Sequence, residues 1–262
     1  MPDGRRSHGR LTGSRMNQTL FISDLHLSPV RPEKLELFTR FMRGPARDAA
    51  ATYILGDLFE EFWVGNDDRT PPNTEIIREL RDCTTKGGRL YFIRGNRELM
   101  LTAPFEELTG CRVMQDQTVV DLDGKKVLLM HGDVLCSRDR KYQLYRRIVE
   151  SYFARTLFLN LPYRARIAIA HGLRPHMRRS TGKKAASIID ADQKTIEQVM
   201  LAHGVSELIH GHTHRPAIHE FDLAGVTARR IVLGDWYDQD SVLVCQGERR
   251  ELTSVRDFLA AN

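Results

Sequence analysis

Five short apolar runs in this 262-residue chain each end in side chains of the kinds that hold metal ions. Phe21-Ile22-Ser23-Asp24-Leu25-His26 ends in a carboxylate and an imidazole, and Tyr53-Ile54-Leu55-Gly56-Asp57 ends in a second carboxylate. Tyr91-Phe92-Ile93-Arg94-Gly95-Asn96 closes on an amide. Val127-Leu128-Leu129-Met130-His131-Gly132-Asp133 and Leu208-Ile209-His210-Gly211-His212-Thr213-His214 supply imidazoles. Two divalent cations about 3.5–4 Å apart repel each other, so a site for a pair needs a carboxylate shared between them. Imidazoles beside carboxylates and an amide form a mixed donor set, better suited to Mn²⁺, Fe²⁺ or Zn²⁺ than to Mg²⁺ alone. Asp24 and His26 can reach one ion from one loop, and Asp57 is the natural bridge. Asn96 offers a neutral oxygen, while His131, His212 and His214 offer nitrogen.

Three neighbours of these residues read differently. His210 lies inside an apolar run and is expected to pack without ligating. Asp133 either orients His131, as carboxylates around metal-bound histidines do, or caps a turn. Cys136 is expected in the core.

The elements that must position the ligands follow from the apolar pattern. Short runs without alternation suit strands buried on both faces of a parallel sheet, with ligands just beyond their carboxyl ends. The pattern predicts strands at 18–24, 111–121, 125–131, 206–210, 229–234 and 241–246, with Asp123-Gly124 as a hairpin turn. It predicts helices at 32–43, opened by Pro32, at 73–86, closed by Gly87-Gly88, at 104–109 and at 254–260. Between His131 and His212 the chain departs from this scheme. Tyr145, Ile148, Val149, Tyr152, Phe153, Thr156 and Leu157 follow a helical period, Pro162 can start a second helix, and 184–202 reads as a third ending at Gly204. The expectation is an α/β core at 18–136 and 204–262, with 137–203 inserted as a helical cap and 1–17 as a disordered basic tail. Met16 just precedes the first strand, so translation is expected to start at either Met1 or Met16.

Bulk properties narrow the class. A 41% hydrophobic and 28% charged composition is that of an ordinary globular protein. Four scattered cysteines without a CxxC pair suit a reducing compartment. No run reaches the roughly 20 apolar residues that cross a bilayer. The net charge of +5 is uneven: residues 138–184 hold thirteen Lys or Arg against two acids, and residues 1–15 are net +3. A basic segment on an acidic body suggests a local anionic partner such as phosphates, nucleic acid or a membrane surface.

The order D-x-H, G-D, G-N, H-G-D, G-H-x-H over residues 20–236 resembles the calcineurin-like metallophosphoesterases. The resemblance implies a four-layer αββα sandwich and two metals, most often Mn²⁺. Asp24, His26, Asp57 and His214 would hold one, and Asp57, Asn96, His131 and His212 the other. Many members carry His after the Asn, suited to protonating an alkoxide. Here Arg97 stands in that place, a guanidinium that grips phosphate oxygens as a fork and favours a leaving group that is itself a phosphate.

Ser23-Asp24-Leu25-His26-Leu27-Ser28, Gly56-Asp57-Leu58-Phe59-Glu60, Gly95-Asn96-Arg97, Leu157-Phe158-Leu159-Asn160-Leu161-Pro162, Gly211-His212-Thr213-His214-Arg215-Pro216 and Gly234-Asp235-Trp236 are similar to the UDP-2,3-diacylglucosamine pyrophosphatase family. That implies a dimetal hydrolase making UMP and 2,3-diacylglucosamine 1-phosphate for lipid A, peripheral on the cytoplasmic face of the inner membrane, with no nucleic-acid partner. Asp57, Asn96, Arg97 and His212 would be catalytic. Asn96, Arg97, Asp139, Lys184 and His212 would contact substrate, with Tyr142 a further candidate. Tyr152, Phe153, Leu157, Phe158, Ile167 and Ile169 are expected to line an acyl chamber.

The chain departs from the family at Glu98, where an Asp is usual, at Met177 and Thr181, which replace polar cap residues, and by an extra residue in Glu60-Glu61-Phe62-Trp63. These leave the metal chemistry intact but the exact lipid open; the alternative readings are a metallophosphoesterase acting on a soluble nucleotide or phosphoprotein, and a non-catalytic anion-binding module.

Overall fold

A computed structural model describes residues 17–65, 67–68, 70–182 and 190–261, the side chains of 174–182 excepted. Residues 1–16 of the expected tail, Lys184, and the side chains of Met177 and Thr181 lie outside the described residues.

Which faces are buried explains the layering. In β1 (Thr19–Ile22), Leu20 and Ile22 join one apolar cluster and Phe21 joins another. A strand that is apolar on both faces must lie between two layers. It pairs in parallel with β2 (Ala51–Ile54), which continues in parallel to β3 (Leu90–Ile93) and β4 (Arg112–Met114). On its other side β1 meets β10 (Ser241–Gln246) antiparallel, with β11 (Arg249–Ser254) at the edge. The second sheet runs β5 (Thr118–Leu122), β6 (Lys125–Met130), β7 (Glu207–His210), β9 (Val226–Val232) and β8 (Ala217–Leu223), with parallel pairing in its centre.

Phe21, Leu55 and Ile93 from the first sheet pack on Val127, Leu129 and Ile209 from the second. Outside the first sheet lie α1 (Pro32–Arg43), α2 (Pro45–Asp48), α3 (Asn73–Thr85) and α4 (Pro104–Thr109), through Phe38, Phe41, Ala46, Ile76, Leu80 and Phe105. The helix Gln193–His203 covers the second sheet through Ile196 and Met200, although the sequence pattern groups it with the cap. The order is helix, sheet, sheet, helix, as expected.

Several sequence expectations need correction. The run 111–121 is not one strand: it breaks between Met114 and Thr118, and its halves join different sheets. Gln117, with φ +61°, turns the chain across the sandwich. Strands β8 and β11 were not anticipated from sequence. The helical period from Tyr145 to Leu157 crosses a break, because Ser151 leaves the helix (φ −62°, ψ 141°) and its hydroxyl caps the next helix at Ala154 N. The helix expected at 184–202 begins within the described residues only at Gln193, capped by Asp192, and ends at left-handed Gly204.

The cap is α5 (Arg140–Glu150), α6 (Tyr152–Leu159) and α7 (Tyr163–Gly182). Its entry and exit are clasped together. Asp192 N donates to Leu135 O (2.9 Å), Arg138 Nε to Asp192 Oδ1 (2.9 Å), and Ser137 Oγ lies 2.8 Å from Thr195 Oγ1. Arg166 of α7 reaches Val64 O and Asp67, and Tyr163 OH donates to Asp68 (3.1 Å). Arg146 of α5 joins Asp133 (2.8 Å), Asp116 (2.9 Å) and Glu150 (3.0 Å).

Removing that guanidinium would strand the buried carboxylate of Asp133 beside the half-buried one of Asp116. Arg146→Met is therefore expected to destabilise the fold by about 3 kcal/mol, the low end for a broken buried pair because Arg146 keeps some exposure. Urea denaturation measures it, and an unchanged midpoint would show that the cap is held otherwise.

Candidate metal centre

All seven residues expected as ligands lie just past strand ends. Asp24 and His26 follow β1, Asp57 follows β2, Asn96 follows β3, His131 follows β6, and His212 and His214 follow β7. Five of them, Asp24, His26, Asp57, His212 and His214, have φ between +46° and +67°. Non-glycine residues rarely adopt this left-handed backbone, and it persists where surrounding contacts impose it. The loops also approach unusually closely: a Cβ on Gly56 would lie 2.5 Å from Gly95 Cα, so the glycine before Asp57 is sterically required.

The ligand atoms converge. Asp24, His26 and His214 form one group within 4.8 Å, and Asp24, Asp57 and His131 form a second. Asp57 turns Oδ2 toward His26 Nε2 (3.6 Å) and Oδ1 toward His131 Nε2 (3.7 Å), so its two oxygens face opposite sides of the cluster. His131 Nε2 lies 3.2 Å from both Asn96 Oδ1 and His212 Nδ1. His214 Nε2 lies 3.1 Å from Asp24 Oδ1. Asp24 belongs to both groups, whereas the resemblance assigns it to one.

The electrostatics ask for positive charge. Burial pulls His131 toward neutrality, but Asp57, Asp24 and Asp133 outweigh it and raise its pKa to about 9. Burial opposes protonation of His214 too, yet its bonds to Asp235 and Asp24 raise it to about 10. Burial would raise the Asp24 carboxyl, but the hydrogen bond and charge of His214, with His131 and His26, hold it well below the usual range. Burial, then His131, pushes His212 down. A pair of divalent cations would satisfy the same demand and displace those protons. The donor set of carboxylates, imidazoles and an amide therefore fits two metals.

The neighbours of the ligands fill in what sequence reasoning missed. His131 Nδ1 donates to Leu55 O (2.8 Å), a backbone acceptor that no sequence pattern marks. Asp133 does not touch His131. It accepts from Tyr142 OH (2.5 Å) and Arg146, so neither role foreseen for it describes it, and it pins the cap. Glu60 accepts from Tyr237 OH (2.5 Å) and lies 3.4 Å from His26 Nδ1, and Asp235 lies 3.1 Å from His214 Nδ1. Asp235 stands in Gly234-Asp235-Trp236, which the resemblance flags without a role. His210 is buried, as expected for a residue in an apolar run, with Nδ1 on Gly211 O (2.8 Å). Cys136 is buried, and burial pushes its thiol up to about 12.

Glu98 binds the loops together. Its carboxylate is fully buried and accepts from Asp57 N (2.9 Å), Gly95 N (3.0 Å) and Phe59 N (3.1 Å). Burial and the charge of Asp57 raise its pKa to about 7.

Arg97 donates its backbone N to Asp57 Oδ1 (2.9 Å) and rests its guanidinium 5.3 Å from the Phe62 ring centre. Its buried Nε has no hydrogen-bond partner. A cavity of about 220 Å³ begins at Asn96 and Arg97 and continues between Trp63, Tyr145, Phe158 and Ile169. Of the expected chamber residues, Phe158 and Ile169 line it. Tyr152, Phe153 and Leu157 do not; they are 87, 77 and 59% exposed, on the far face of the cap, and Ile167 is also outside the lining. Asp139 is buried and caps α5 at Tyr142 N (3.2 Å). The Tyr142 ring stacks 6.4 Å from His212.

A sandwich of two sheets with this strand-end cluster defines a class, and the profile of the calcineurin-like phosphoesterases matches residues 18–216: the chain belongs to that family. Its similar relatives are narrower in kind. The chain is 45% identical over 233 residues to the UDP-2,3-diacylglucosamine hydrolase of Aeromonas hydrophila, spanning 88% of this chain and 96% of that one. It is 46% identical over 224 residues to the protein of that name from Aliivibrio fischeri, spanning 86% and 92%. With the one from Serratia proteamaculans it shares 43% over 234 residues, 89% and 97%.

Two outcomes follow from this geometry. In Glu98→Gln the amide would face a backbone N–H with its own NH₂ whichever way it turned. Metal affinity, read by titration calorimetry, is expected to fall about 10–100-fold; unchanged affinity would remove Glu98 from this role. The second concerns pH. His131 and His214 hold protons more tightly folded than at the ordinary value of 6.5. The stability so gained is complete below about pH 6.5 and is lost as pH rises through about 9 and 10. In chelator, the melting temperature should fall from pH 7 to 10 and should fall less with metal added; a flat profile in chelator contradicts the assignment.

Proposed function

We propose that the protein hydrolyses the pyrophosphate of UDP-2,3-diacylglucosamine, releasing UMP and 2,3-diacylglucosamine 1-phosphate, a step of lipid A synthesis. The observation carrying this reading is a single cavity that is polar at Asn96 and Arg97 and apolar beyond, which suits a substrate with a phosphate end and a greasy end. The names of the 43–46% identical relatives support the same substrate. At about 220 Å³ the cavity is smaller than the roughly 300–1,000 Å³ of typical ligand sites, so two acyl chains would extend past its rim.

In this reading Asp24, His26, Asp57 and His214 hold one divalent cation, and Asp57, Asn96, His131 and His212 hold the other, with Mn²⁺ as the physiological metal. Metals held there would supply Lewis-acid polarisation of a phosphoryl oxygen and a bound water acidified toward a pKa of about 7. Arg97, held at its backbone by Asp57 and against Phe62, offers its guanidinium to the phosphate oxygens. The departing sugar phosphate is stable as an anion, so no proton donor is needed where other family members place His. Asn96 and His212 meet the attacked α-phosphate, and Asp139 and Lys184 are further substrate contacts. Because the substrate is a lipid, the enzyme works at the cytoplasmic face of the inner membrane, without a nucleic-acid partner.

With Mn²⁺, UMP release from UDP-2,3-diacylglucosamine should far exceed that from the deacylated UDP-sugar, and equal rates would overturn the lipid assignment. Asp57→Ala should lose at least about 100-fold in kcat while remaining folded.

A further inference from the structure

The cap helices are apolar on two faces. Tyr145, Val149, Ala154 and Phe158 turn to the cavity. Leu144, Ile148, Tyr152, Phe153 and Leu157 turn to solvent, 59, 56, 87, 77 and 59% exposed. A helix that only roofs a cavity needs one apolar stripe and a polar back. Single exposed hydrophobics are ordinary, but five large ones on two consecutive helices mark a surface that is covered in use.

The surrounding charge indicates what covers it. Arg140, Lys141 and Arg147 are exposed on α5, and Arg164 on the first turn of α7. The one acid of α5, Glu150, is bonded to Arg146. Two copies meeting through this face would oppose like charges, whereas an anionic surface complements it. The rim of the cavity leads the same way, since Ile169 and Leu173 line it and are also 41 and 39% exposed. Among the described residues no helix is long and apolar enough to cross a membrane, so contact would be confined to the interface.

We infer that the outer face of α5 and α6 is the protein's docking surface for an anionic bilayer. Tyr152, Phe153 and Leu157 enter the boundary between head groups and acyl chains, and Lys141 and Arg147 meet lipid phosphates. The inference rests on the lipid-substrate reading for its purpose: a ridge seated in the leaflet lets acyl chains pass over Ile169 and Leu173 into the cavity without crossing water.

The test is flotation of the metal-loaded protein with phosphatidylcholine vesicles, with and without phosphatidylglycerol. Wild type should bind the anionic vesicles. The triple variant Tyr152→Ser, Phe153→Ser, Leu157→Ser should lose binding at least about tenfold, and Lys141→Glu with Arg147→Glu should lose the preference for phosphatidylglycerol. The triple variant should keep its rate on a dispersed short-chain substrate and lose rate on long-chain substrate embedded in vesicles. Undiminished vesicle binding by the triple variant overturns the inference. So does a wild type that ignores vesicles and dimerises through this face, becoming monomeric in the triple variant. A wild type that binds anionic vesicles but hydrolyses neither substrate leaves the surface assigned and removes the substrate reading instead.

Discussion

A carboxylate taken out of water must be answered by donors or cations, and Asp24 is wholly out of water. Its Oδ2 accepts from Ser23 Oγ (2.6 Å) and His212 N (2.8 Å), and its Oδ1 from His214 Nε2 (3.1 Å). Its own N donates to Gly56 O (3.0 Å), and its carbonyl accepts from Trp236 N (3.0 Å). One aspartate thus gathers the ends of β1 and β2, the histidine loop after β7 and the segment after β9. The left-handed turns at Asp24, His26, Asp57, His212 and His214 are tolerable because these contacts leave the chain no other course.

The sandwich adds a second constraint, since the ligands come from both sheets. Leu55 O on the first sheet holds His131 of the second, so the spacing between sheets is also the spacing between ligands. Two residues beyond His131, Asp133 takes Tyr142 and Arg146 of α5. The greasy cavity and the ionic cluster are therefore aligned by the same few bonds, and packing of the cap is coupled to chemistry at phosphorus.

Much of this was legible in the residues, for identifiable reasons. Runs such as Leu20-Phe21-Ile22 announce strands buried on both faces, and Pro32 and Gly204 punctuate helices where the backbone requires it. Ligands at strand ends could be read because few other roles call for so many imidazoles and carboxylates at such places. What escaped depended on partners with no signature of their own. Glu98 binds three backbone amides, and His131 leans on a backbone carbonyl, so neither partner has a side chain to notice. Residues 112–122 are strand-prone throughout, and only the fold reveals that Gln117 sends the two halves to different sheets. The period through Tyr152, Phe153 and Leu157 indicated an apolar stripe correctly. A period cannot say which of two apolar stripes faces inward, and these residues face out.

The clasp at the root of the cap has an evolutionary corollary. Leu135 and Asp192 are hydrogen-bonded although more than fifty residues separate them along the chain. The polypeptide therefore leaves the sandwich and re-enters it at nearly one point, and anything between those points is a detachable cassette as far as the sheets are concerned. Lineages could lengthen, shorten or exchange that cassette, and so redirect the same ionic hearth to new esters, without laying a single strand differently.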